Sequence, residues 1–120
     1  MIVASPRKAA KFFSAKMSFT TGSFELKNMI ERGEDISIVD VRSPEDYATG
    51  HIPGAINLPR EKWDTFAGLA RDKVNILYCY SEASHLAASA ALRFAEHGYP
   101  VMELEGGFET WKQNQFPVES

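Results

Sequence analysis

Val74-Asn75-Ile76-Leu77-Tyr78-Cys79-Tyr80-Ser81-Glu82-Ala83-Ser84-His85-Leu86-Ala87-Ala88 is the stretch on which the fold turns. Its first five residues, apolar except for Asn75, form a strand-sized run. Cys79 closes that run, and residues 80–85 form a short polar loop. Leu86, Ala87, Ala90, Ala91, Phe94 and Ala95 then recur at helical spacing until Gly98 ends the helix. A strand, a cysteine, a short loop and a helix together make a specific physical device. The first amides of a helix have no intrahelical partner, and with the macrodipole they favour an anion. A cysteine placed there is expected to be a thiolate at neutral pH, and the thiolate is the nucleophile. Tyr80, Ser81 and Ser84 add hydroxyl groups able to donate to a bound anion. The plainer reading is a small apolar residue that ends a buried strand, and residues 74–88 alone leave the two readings about even.

Outward from this stretch, strand and helix signals alternate. Ser23 is placed to cap a helix carrying Phe24, Leu26, Met29 and Ile30 that stops at Gly33. Ile36, Ile38, Val39 and Val41 read as a buried strand. Ser43-Pro44-Glu45-Asp46 starts a short helix, with Asp46 at the capping-box position, and Gly50 ends it. A small strand is expected at Ala55–Asn57, a helix at Arg60–Leu69 with Trp63, Phe66 and Leu69 inward, and a strand at Val101–Leu104. Gly106-Gly107 reads as a turn before a helix at Phe108–Gln113, and Ser18–Ser23 as a turn or linker. The alternation predicts an α/β fold, with a central, mainly parallel sheet and helices on both faces. Ligands in such sheets sit beyond the carboxyl ends of the strands, where Cys79 lies.

Composition narrows the function classes. The 120 residues fit one domain. A net charge of −3 argues against nucleic acid as a partner, and no apolar run approaches the ~20 residues of a membrane helix. Charge is unevenly placed. Residues 1–20 hold Arg7, Lys8, Lys11 and Lys16 and no acid, and the rest holds 9 bases against 16 acids, a charge of −7. Residues 1–22 are expected to be a helical extension of the domain at 23–120. Ser5 is its N-cap and Pro6 its first residue. Ala9, Phe12, Phe13 and Met17 fall on one face, with the lysines on the solvated side. A docking surface for an acidic partner and an organellar transit peptide are the alternatives. No apolar core of a secretory signal follows the charges. One cysteine excludes an internal disulfide and a Cys-rich zinc site, and suits a reducing, cytoplasmic setting.

Three segments then carry a resemblance. Asp40-Val-Arg42-Ser-Pro-Glu-Asp-Tyr47 leading into Gly50-His-Ile-Pro-Gly-Ala-Ile-Asn57 resembles the amino-terminal signature of rhodanese domains. Tyr78-Cys79 before an Ala-rich helix resembles their active-site element. Leu104-Glu-Gly-Gly-Phe108 with Trp111 and Pro117 resembles their carboxyl-terminal signature. The resemblance implies the three-layer rhodanese-like fold and a sulfurtransferase. In such an enzyme Cys79 takes sulfane sulfur from thiosulfate or a persulfide and passes it to a thiol or cyanide. It implies Cys79 as catalytic residue and Tyr80, Ser81, Glu82, Ala83, Ser84 and His85 as the substrate-binding loop. Asp40 and Arg42 support that loop through an ion pair or bracing hydrogen bonds, and His51 belongs to the scaffold. No metal or organic cofactor is implied. The partners are a small sulfur donor, a thiol or cyanide acceptor, and a protein persulfide.

The loop departs from the family in two places. Glu82 stands where the family often has Gly, which reaches positive φ at less cost. Ser84 stands where many members have Arg, which leaves His85 as the loop's one candidate cation. Dianionic thiosulfate is therefore expected to be a poorer donor than a persulfide. Related phosphatases place Arg six residues after the cysteine, to clamp phosphate; here that residue is His85. The competing readings are a catalytically weak binding module that recognises a partner protein, and a redox-sensing thiol that needs a second chain or glutathione.

Overall fold

The computed structural model describes residues 3–81 and 83–120. Five short strands form one parallel sheet: β1 (Thr20–Thr21), β2 (Ser37–Asp40), β3 (Ile56–Asn57), β4 (Asn75–Tyr78) and β5 (Val101–Leu104). Their order is β1-β5-β4-β2-β3. β4 lies at the centre, pairing with β2 (Asp40 opposite Tyr78) and with β5 (Leu77 opposite Glu103). The sheet is flanked by α1 (Pro6–Phe19), α2 (Ser23–Glu31), α3 (Pro44–Thr49), α4 (Leu86–Glu96), α5 (Gly107–Gln113) and a 3-10 helix at Arg60–Thr65.

Period-two alternation divides the core between the two faces of the sheet. Ile38, Ile76, Tyr78 and Leu104 pack with Leu26 of α2 and with Phe108 and Trp111 of α5. Val39, Val41, Leu77 and Cys79 pack with Trp63 and with Ala87, Ala90 and Phe94 of α4. Helices thus cover both faces, as the strand–helix alternation predicts. Alanines at 87 and 90 let α4 lie close over β4, and Phe94 fills the far end against Trp63 and Phe66.

The local signals at helix ends hold in detail. Ser5 Oγ accepts from the Lys8 amide and Ser43 Oγ from the Asp46 amide, with Pro6 and Pro44 in the first turns. Four expectations need correction. The N-cap of α2 is Gly22, with Ser23 already inside the helix. The Ser18–Ser23 turn contains the edge strand β1, because Thr20 and Thr21 pair with Glu103 and Leu104 of β5. The helix expected through Leu69 stops at Thr65, and Phe66 takes a left-handed conformation at φ 53°. There the Thr65 hydroxyl accepts from the Ala67 amide, and side-chain bonding of this kind competes with continued helix. Finally, the apolar face of α1 is not packed: α1 has no buried residue.

Candidate active site

β4 delivers Cys79 to the carboxyl edge of the sheet, with its side chain on the α4 face and 2% of the residue exposed. The backbone on either side of it is clamped by α5. The amides of Phe108 and Glu109 donate to the carbonyls of Cys79 and Tyr80, each at 2.9 Å. That approach requires Gly107. It has φ +60°, and a Cβ there would lie 2.8 Å from the Cys79 carbonyl oxygen and 2.9 Å from the Ser81 nitrogen. The Gly106-Gly107 turn read from the sequence is thus the seat of the cysteine loop, a role visible only once β5 and β4 lie side by side.

Within the loop, the Ser84 amide donates to the Ser81 carbonyl at 3.2 Å. Ser84 Oγ accepts from the Leu86 amide and so serves the first turn of α4. The sulfur's contacts among the described residues are to carbonyl oxygens, Ser81 O at 3.6 Å and Ser84 O at 3.8 Å. These are acceptors for a thiol proton. Among the described residues no loop N–H hydrogen-bonds the Cys79 sulfur itself. Glu82 lies outside the described residues. Ala83 and His85 are exposed, and Ser81 and Ser84 are half-buried.

Tyr80 points away from the sulfur. Its hydroxyl donates to Asp46 Oδ2 at 2.7 Å and accepts from the Ser43 amide at 3.3 Å. These bonds, with that from Ser43 Oγ, hold the Asp46 carboxyl below the ordinary aspartate range. Tyr80 therefore ties the loop to the start of α3. Ser43 and Asp46 were legible as a cap, but nothing in the sequence marked Asp46 as the partner of Tyr80.

Asp40 and Arg42 form a buried ion pair beneath this layer, with 0% and 5% side-chain exposure. Asp40 accepts from the Arg42 amide (2.8 Å), from Arg42 Nε (3.1 Å) and NH2 (2.8 Å), and from the Tyr78 hydroxyl (2.8 Å). Arg42 also donates to the Gly50 carbonyl at 2.6 Å and stacks its guanidinium 4.1 Å from the Phe108 ring centre. Burial pulls the Arg42 pKa down, but the bond and charge of Asp40 outweigh it and leave it raised. Burial and the charge of Asp40 push the Tyr78 phenol well above its ordinary value. His51 accordingly belongs to the scaffold: it stacks on Tyr47 and pairs its backbone with Glu119.

Three clefts open beside the loop, and the one beside Tyr80 is lined by Arg42, Asp46, Glu109 and Lys112. Of the two on the Ser81 side, one is lined by Ser81, Ser84, His85, Glu103 and Glu105, the other by Ser81, Ala83, Glu109 and Thr110. The described residues lining the two on the Ser81 side include three carboxylates, of which Glu105 is paired with Lys16, and one imidazole, whereas the cleft beside Tyr80 holds Arg42 and Lys112. The Ser81 side is therefore the less favourable one for a dianion. No group of three metal-ligating side chains gathers among the described residues, and none of their helices is long and apolar enough to cross a membrane.

Comparison with known proteins adds the following. The family model described as Rhodanese-like domain matches residues 24–114. The HTH-type transcriptional regulator Rv0324 of Mycobacterium tuberculosis is 38% identical over 96 residues, 79% of this chain and 42% of that protein. The chain thus spans less than half the length of that relative. The thiosulfate sulfurtransferase GlpE of Coxiella burnetii is 39% identical over 80 residues, 65% of this chain and 73% of that one. The crystal structure of the BH2092 protein from Bacillus halodurans matches 97% of this chain and 87% of its own, at 39% identity and a TM-score of 0.88.

Proposed function

From the premise that this chain belongs to the rhodanese-like domain family, we propose that it is a sulfurtransferase that carries sulfane sulfur as a persulfide on Cys79. One observation carries the reading. Cys79 sits at the carboxyl end of the central strand, at the base of a six-residue loop that opens into clefts against β5 and α5. In the first half-reaction the Cys79 sulfur gives its proton to solvent and attacks the outer sulfur of the donor. The Sγ–S bond forms as the donor's S–S bond breaks, and sulfite or a thiolate leaves with the electron pair. In the second half-reaction a thiol or cyanide attacks the terminal sulfur, and Cys79 leaves as the thiolate. This is covalent, ping-pong catalysis. Ser81, Ala83, Ser84 and His85 line the approach, and N–H groups of the loop hold the persulfide anion. A loop without lysine or arginine favours a persulfide of low charge as donor over dianionic thiosulfate.

A second reading has its own support. The carbonyls facing the sulfur and the acidic rim suit a module that binds a partner and transfers no sulfur. Mass spectrometry of the intact chain after thiosulfate, and separately after a persulfide donor, decides between them. The expected result is one added sulfur atom on Cys79, larger in yield from the persulfide, and none in Cys79→Ser. An unmodified Cys79 after both donors removes the enzymatic reading.

A further inference from the structure

The cleft beside Tyr80 has no part in the sulfur chemistry above. Its volume is about 310 Å³, at the small end of ligand clefts, and Arg42, Asp46, Tyr80, Phe108, Glu109 and Lys112 line it. Arg42 is its unusual member. A side chain with 5% exposure ordinarily has its polar atoms engaged by protein. Nε and Nη2 are engaged, by Asp40 and the Gly50 carbonyl, whereas Nη1 makes no hydrogen bond among the described residues. Asp46 repeats the pattern with the opposite sign. Its Oδ2 accepts from Tyr80 and from Ser43 Oγ, and its Oδ1 accepts from no described residue. Among the described side chains that are not exposed, Ser23 Oγ is the one atom both sealed from solvent and unpartnered. Arg42 Nη1 and Asp46 Oδ1 therefore reach solvent, and the cleft that both residues line is this one. Two more charges stand at its mouth. Lys112 has no carboxylate partner among the described residues, and its ammonium lies 5.4 Å from the centre of the Phe108 ring on which Arg42 stacks at 4.1 Å. Glu109 is exposed and accepts a 3.4 Å bond from Gln113.

We propose that this cleft binds a free α-amino acid by its head group, the carboxylate on Arg42 Nη1 and Lys112 Nζ and the ammonium on Asp46 Oδ1 and the Glu109 carboxylate. The balance of charge selects a zwitterion. A simple anion is drawn to Arg42 and Lys112 but meets Asp46 and Glu109 in the cleft and Asp40 behind Arg42. A simple cation meets Arg42 and Lys112. A ligand carrying both signs on one carbon answers all four groups and brings no net charge, and the groups that admit it turn away ligands of a single sign. The small volume suits one residue. Seated there, the amino acid links α3 to α5 across Tyr80, whose hydroxyl already holds Asp46. The Tyr80 amide is therefore a reporter of occupancy. Because Tyr80 points away from the sulfur, the site does not depend on sulfur transfer by Cys79.

NMR titration of the full, nitrogen-labelled chain with glycine, L-serine and L-phenylalanine at constant ionic strength tests this. Acetate and ethylamine serve as probes of one charge each. The expected result is a saturable shift of the Asp46, Tyr80, Glu109 and Lys112 amides with at least one amino acid, at a Kd of about 10 mM or below. Acetate and ethylamine are expected to bind at least about tenfold more weakly. Lys112→Ala and Glu109→Gln, at exposed positions, are each expected to weaken amino-acid binding about tenfold with the rest of the spectrum unchanged. Glu109→Gln is also expected to strengthen acetate binding, a change of opposite sign that a merely structural role of Glu109 does not give. The absence of a saturable shift with all three amino acids up to about 50 mM overturns the proposal. So does acetate or ethylamine binding as tightly as the amino acids, or undiminished binding by Lys112→Ala.

Discussion

Replacing Asp40 with Asn removes the charge that Arg42 was buried against while nearly keeping the shape. In the native chain the carboxylate takes hydrogen bonds from the Arg42 amide and guanidinium and from the Tyr78 hydroxyl, and neither side chain of the pair exceeds 5% exposure. Breaking a buried pair from one side costs about 3–5 kcal/mol, because the remaining charge is left without compensation. Arg42 keeps the Gly50 carbonyl at 2.6 Å and the face of Phe108 at 4.1 Å, which places the loss near the lower end. With a urea slope of about 1–3 kcal/mol per M, a loss of about 3 kcal/mol lowers the midpoint by roughly 1–3 M at constant slope. The double variant Asp40→Asn with Arg42→Met removes both charges, and is expected to be more stable than the sum of the single losses by about 1 kcal/mol or more. A single-variant loss under about 1 kcal/mol, or additivity within about 0.5 kcal/mol, refutes the view that the pair is an interdependent buried unit.

Four further outcomes follow from the same geometry. Gly107→Ala forces a Cβ to within 2.8 Å of the Cys79 carbonyl at φ +60°. It is expected to cost about 2 kcal/mol or more by urea titration and to slow sulfur loading of Cys79 by mass spectrometry; native loading speaks against the clamp. Tyr80→Phe cuts the tether to Asp46, and is expected to slow loading roughly 3–10-fold with little change in melting temperature. Equal loading by the two proteins rejects Tyr80 as a positioning residue. The Asp46 carboxyl, depressed by the same bonds, contributes fully above the unfolded value of about 3.9, and urea titrations at falling pH are expected to show that contribution being lost from there down through the lower folded value. Tyr78 runs the other way. Its phenol is raised by burial and Asp40, so above about pH 10 the unfolded chain has released a proton that the folded chain retains. Stability is expected to fall as pH rises through that range, and tyrosinate absorbance is expected to show Tyr78 titrating only on unfolding. A Tyr78 that ionises in the folded protein at about pH 10 contradicts the buried Asp40–Tyr78 bond.

What the order of residues determined by itself was local and periodic. Apolar period and breaker residues placed β2, β4 and β5 and the helix after Cys79, since burial acts on whichever face the period presents. Ser5-Pro6 and Ser43-Pro44 placed two helix starts, because a cap is satisfied within a few residues. The same locality explains what only the tertiary structure decided. Thr20–Thr21 become a strand because β5 lies open beside them. Gly107 is indispensable because the Cys79 backbone passes under it. Tyr80 leaves the sulfur because Asp46, 34 residues earlier, is brought within 2.7 Å. The backbone on either side of Cys79 is likewise set by distant partners, the amides of Phe108 and Glu109. A sequence can place a cysteine at a strand end, whereas the dipoles aimed at it are chosen by contacts between elements far apart in the chain.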